Sequence, residues 1–123
     1  MPDDVDFGPL LELRRLQSPG APDVVARILN RFFGESAERL AALRHAIEVD
    51  DAPLLERSAH ALKGIAGTVG AHTVGDLAVR LEHLGREGRA RDGAPLVMEL
   101  DSALSRARAK FERLLETNLD DRT

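Results

Sequence analysis

Apolar residues recur at threes and fours along most of this chain, the spacing of one buried helical face. Leu10, Leu13 and Leu16 fall near one side of a short amphipathic segment over 7–17. The run Ser18-Pro19-Gly20-Ala21-Pro22 then breaks the pattern. Val25, Ile28, Leu29, Phe32, Phe33, Leu40, Leu43 and Ile47 predict a long second helix over 23–49, which Gly34 interrupts without splitting. Asp50-Asp51-Ala52-Pro53 offers an acidic cap followed by proline in a first turn. A third helix therefore starts there and runs to Val69, with Gly70 placed just past its end. Val74, Leu77, Ala78, Leu81 and Leu84 face inward on a fourth helix over 73–88, which fades into a loop along the glycine-rich run 85–93. Leu96, Leu100, Ala103, Leu104, Ala107, Phe111 and Leu114 form the stripe of a last helix over 95–119. No stretch reads as a strand. The expectation is an all-α fold: an antiparallel four-helix bundle with a short additional N-terminal helix laid across one end.

Composition narrows this picture. At 123 residues the chain is expected to be one domain, 1–123, with 1–6 and 120–123 frayed. Aromatics are 3%, all phenylalanine, so the core must be built from aliphatic residues, which suits helices. There is no cysteine, which removes disulfides and thiolate chemistry. The net charge of −4 argues against general nucleic-acid binding. The acidic N-terminus lacks an apolar run, so no signal peptide is expected. No apolar stretch approaches the roughly 20 residues that span a bilayer. The chain reads as cytoplasmic, without direct membrane contact, although it could be a domain of a membrane-bound parent.

The candidate chemistry lies in the third helix. At about 100° per residue, Glu56, Lys63, Gly64 and Gly67 fall within about 60° of His60. Leu55, Ala59, Leu62, Ala66 and Val69 cluster at the opposite pole. One face can pack; the other presents an imidazole, an ammonium group and two glycines. A glycine inside a helix costs roughly 1 kcal/mol relative to alanine. Two of them beside a nucleophile read as a bare strip where another surface can approach, or as sites of close helix packing beneath a solvated histidine.

The pattern His60-Ala61-Leu62-Lys63-Gly64, then Gly70-Ala71, then Leu81-Glu82, resembles the signature of histidine-containing phosphotransfer (HPt) domains. The match runs residue by residue from Arg57 to about Arg86, and departs at Ile65, where the family usually has a small residue. The resemblance implies a phosphorelay intermediate in a two-component system. His60 would accept a phosphoryl group from an aspartyl phosphate on a receiver domain and pass it to another. Lys63 at i+3 can lie beside the added group and offset its charge. By the same resemblance, to chemotaxis-kinase phosphotransfer domains in particular, Glu82 is a candidate to orient the imidazole through its other nitrogen, and Arg86 is a weaker candidate for charge support. Glu82 and Arg86 read equally well as a surface i,i+4 pair. Ala61, Gly64 and Gly67 would keep the approach open for a docking partner, and Leu10, Leu11 and Leu13 are a further docking candidate.

The chain shows no phosphate-binding loop and no acidic cluster after a strand to hold magnesium. It is therefore expected to be a carrier and not an enzyme, without cofactor or metal of its own, with magnesium on the partner receiver domain. The partners implied are response-regulator receiver domains and/or a hybrid sensor histidine kinase, and the expected state is a monomer. His45, His72 and His83 read as surface residues. None of the four histidines has glutamate three positions before it, which argues against a metal-centred bundle. Two alternatives remain: an interaction or adaptor bundle whose histidine is not phosphorylated, and a chemotaxis-kinase-type phosphoacceptor domain fed by a separate kinase domain. The run Lys63-Gly-Ile-Ala-Gly-Thr-Val-Gly70 resembles the glycine-rich version found in the latter.

Overall fold

The computed structural model describes residues 4–120, with side chains over 4–117. The chain folds as α1 (Gly8–Leu16), α2 (Val24–Glu48), α3 (Ala52–Val69), α4 (His72–Arg86), a 3₁₀ turn (Ala90–Gly93) and α5 (Ala94–Asp120). Helices α2 to α5 form the bundle, and α1 packs on α2 and α3. Among the described residues no helix is long and apolar enough to cross a membrane.

Local chemistry fixes the ends of the site-bearing helix. The Asp51 carboxylate accepts a hydrogen bond from the Leu54 amide at 3.0 Å, with proline in the first turn. At the other end Gly70 sits at φ 76°, and its N–H bonds back into the last turn. The glycine is needed twice over there, because a Cβ would also collide with the carbonyl oxygen of Asp6. Asp23 caps α2 in the same way as Asp51 caps α3, accepting from Ala26 at 3.1 Å.

The core is the expected aliphatic stripe of each helix: Leu29, Leu43, Leu55, Leu62, Leu81 and Leu100 are fully buried. Three phenylalanines gather around the fourth, Phe111, with the ring centroids of Phe7, Phe32 and Phe33 5.7–6.5 Å from its own. Buried Ser36 lies in the midst of the apolar face of α2 and donates its hydroxyl to the Phe32 carbonyl at 2.7 Å.

Three expectations need correction. Residues 4–6 are not frayed. Asp6 N–H bonds to the Gly70 carbonyl at 2.8 Å, and Val5 is buried. The Asp4 carboxylate accepts from Thr73 at 2.8 Å and Arg106 at 3.0 Å and pairs with Lys110 at 3.4 Å. These bonds, led by that from Arg106, lower its pKa from 3.8 to about 2. Residues 1–3 and 121–123 lie outside the described residues, and Asp120 closes α5. Leu16, expected on the inward side of α1, is 68% exposed, because α1 ends there and the chain leaves through an extended Gln17. The fourth helix, expected over 73–88, stops at Arg86, and the run beyond it is not simply a loop. Gly85 and Arg86 close α4, and 90–93 form the 3₁₀ turn.

Candidate functional site

Helices α3 and α4 run antiparallel and form the most extensive helix pair in the bundle. Their register sets Glu56 against Gly85, His60 against Glu82 and Ala66 against Gly75. The sequence-derived candidates on the two helices are thereby brought together. Glu82 Oε2 lies 2.6 Å from His60 Nδ1, and Lys63 Nζ donates to Glu82 Oε1 at 3.0 Å. Arg86 stands farther out, its guanidinium 3.7 Å from the Glu82 carboxylate. The Glu82 side chain is only 6% exposed, whereas the His60 ring is 67% exposed. This is not a surface Glu–Arg pair. It is a buried carboxylate under an exposed imidazole.

Burial alone would raise the carboxyl pKa of Glu82. The Lys63 ammonium, donating directly to it, instead holds the pKa below its ordinary value, with a second contribution from His60. Glu82 is therefore an anion at neutral pH, and an anionic carboxylate can only accept. The proton in the 2.6 Å contact must come from the ring, so Nδ1 carries the hydrogen, and in the neutral imidazole the lone pair is on Nε2. One carboxylate thus fixes both the tautomer of His60 and the position of the Lys63 ammonium.

The outward face of α3 is bare. A Cβ added at Gly64 or Gly67 would meet nothing within 4 Å, so neither glycine serves packing inside this chain. Ala61 is half-buried, while Gly64 and Gly67 are exposed. Ile65 and Thr68, the residues that follow the two glycines, form one wall of a cleft of about 300 Å³. Ile28, Phe32, Arg31 and Glu35 of α2 form the other wall. This cleft went unread in the sequence, because it joins two helices whose pairing no local pattern specifies. Leu10 is fully buried and is no docking candidate, whereas Leu11 is 45% exposed. Ser58 is buried, and His45, His72 and His83 are exposed, the last three away from the Glu82 contact.

The family model for the Hpt domain matches residues 27–110, about two thirds of the chain and all of the site. The chain belongs to the Hpt domain family. Domains of this family carry phosphoryl groups in two-component signalling. Histidine-containing phosphotransfer protein 2 of Arabidopsis thaliana is 34% identical to this Hpt chain over 71 residues, which cover 55% of the chain and 46% of that protein. The matched part is thus about half the length of the curated relative. Among solved structures, histidine-containing phosphotransfer protein B (HptB) of Pseudomonas aeruginosa PAO1 superposes with a TM-score of 0.84 at 24% identity. That superposition covers 95% of this chain and 98% of the other, and it supports the all-α bundle fold.

Proposed function

We propose that this Hpt domain is a phosphorelay intermediate with His60 as its phosphoacceptor. The observation that carries the reading is the 2.6 Å contact between His60 Nδ1 and buried, anionic Glu82 beneath an exposed ring. In the forward step the Nε2 lone pair attacks the phosphorus of an aspartyl phosphate in line. The phosphorus–nitrogen bond forms, the acyl phosphate bond breaks, and the receiver's carboxylate leaves with its electron pair. The positive charge that develops on the ring is offset by Glu82 through Nδ1–H. Lys63, 39% exposed and anchored on Glu82, borders the incoming group, and Arg86 adds a second cation at longer reach. The return step reverses these changes toward a second receiver.

The chain supplies the nucleophile and its orientation, and the partner supplies the magnesium and in-line geometry. The receiver docks over Gly64 and Gly67, with Ala61 and the adjoining α2–α3 cleft beneath it. The domain works as a monomer in the cytoplasm, with receiver domains or a hybrid sensor kinase as partners. One observation favours a second donor: the Glu82–His60 bond is the contact that the resemblance attributes to chemotaxis-kinase phosphotransfer domains. In that reading a separate kinase domain feeds His60 from ATP.

The test is label transfer from phosphorylated receiver domains, with magnesium, to the wild-type chain and to His60→Gln. The wild type should gain an acid-labile, alkali-stable label and the variant none. Equal labelling of the variant, or no labelling of the wild type by receivers or by a kinase domain with ATP, contradicts the carrier role.

A further inference from the structure

Gly85 is a glycine that the function described so far leaves without a role. It lies one turn after Glu82 on α4 and is buried against the backbone of α3. A Cβ there would stand 2.6 Å from Glu56 N, 2.8 Å from Glu56 Cα and 2.9 Å from the Ala52 carbonyl oxygen. These are backbone atoms of a capped helix and cannot swing aside. Glu56 itself lies one turn before His60. A close approach of the two helix backbones therefore lies one turn from the contact that sets the imidazole.

Carbon atoms pack comfortably at about 3.5–4.0 Å, so a methyl group at Gly85 would force the helices about 1 Å apart locally. The His60–Glu82 contact is 2.6 Å. Lengthened by about 1 Å, it would no longer be a hydrogen bond. Glu82 has little freedom to follow, since it is buried and also held by Lys63.

We propose that Gly85 is a positioning residue: its missing side chain sets the α3–α4 separation at which the Glu82 carboxylate reaches the His60 ring. Its consequence for phosphoryl transfer rests on the function proposed above; its effect on the imidazole does not. Gly93 provides the contrast. A Cβ at Gly93 would meet only the side-chain ends of Leu81, at 3.0 Å, and Ile47, at 3.4 Å, which can shift.

The experiment is nitrogen NMR of the full chain with labelled histidine, read at alkaline pH as the ratio of Nδ1–H to Nε2–H tautomers at His60. The wild type should hold the Nδ1–H form, and Gly85→Ala should lower the ratio about tenfold, the equivalent of one charge-assisted hydrogen bond. Gly93→Ala should leave it unchanged, whatever stability it loses. A folded Gly85→Ala protein with the wild-type ratio, or a Gly93→Ala protein with the same fall, overturns the proposal. If Gly85→Ala does not fold, Glu82→Asp replaces it. That change withdraws the carboxylate by one methylene on unmoved helices, and should lower the ratio as much. An unchanged ratio there shows that helix separation does not limit the contact, and also overturns the proposal. Label transfer on the same samples separates the two ideas. A wild type that holds the Nδ1–H form but accepts no phosphoryl group overturns the carrier role and leaves the positioning role standing.

Discussion

Gly64 and Gly85 lie on neighbouring helices beside the same imidazole, and they are glycines for opposite reasons. At Gly85 a Cβ would strike the backbone of Glu56 at 2.6 Å, so the chain itself demands the absence of a side chain. At Gly64, and at Gly67 one turn on, a Cβ would meet nothing. The bundle gains nothing from those two and loses helix propensity at each. The seam between α3 and α4 is thus built for internal precision, whereas the outward face of α3 is left clear at the chain's own cost. On the function proposed above, the requirement at the second face lies outside the molecule, in the partner that docks there.

Substitutions can break this contrast. The largest stability change should come from Gly85→Ala, at about 1–3 kcal/mol of destabilisation from forced separation of two packed helices. Denaturant unfolding checks it, and an unchanged midpoint would mean that the seam is softer than its geometry. Glu82→Gln comes next, at roughly 1–2 kcal/mol, because it neutralises the anion that Lys63 and His60 share. The carboxyl pKa of Glu82 is depressed in the fold, so its contribution is complete at neutral pH and is lost as pH falls through the depressed value. The variant should lack that part of the acid dependence, which unfolding curves across the acid range will show.

Asp4→Asn should cost roughly 1 kcal/mol, after allowance for screening at a partly exposed group. Its pKa also falls on folding, from 3.8 to about 2, so the variant should lack the part of the acid-induced stability loss that falls across that interval. Gly64→Ala is the smallest change and the only one with opposite sign. It should stabilise the domain by about 0.5–1 kcal/mol, read as a raised Tm.

Much of this was legible in the chain because the signals are local. Asp51, Pro53 and Gly70 announce the ends of α3 through capping chemistry that involves only near neighbours. His60, Lys63, Gly64 and Gly67 share a helical face by arithmetic alone. Glu82 is different. Its place in the sequence suggests either an orienter or a surface pair with Arg86, and only the register of α3 on α4 buries it under the ring. Gly85 is similar: its place in the fourth helix was legible, but only the register of α3 on α4 sets it against the Glu56 backbone. The bonds of Asp4 reach Arg106 and Lys110 across nearly the whole chain, so a carboxylate that looks solvated in the sequence is in fact pinned.

The most direct test of the outward face is Gly64→Leu, with stability and phosphoryl transfer measured on the same protein. A side chain at Gly64 points into open space, so Tm should equal or exceed that of the wild type. Transfer from a phosphorylated receiver should slow by about tenfold or more, because misplacing the reacting groups by about 1 Å can cost a factor of a hundred. A folded Gly64→Leu protein that accepts phosphoryl groups at the wild-type rate would contradict the claim that this face is kept clear for a partner.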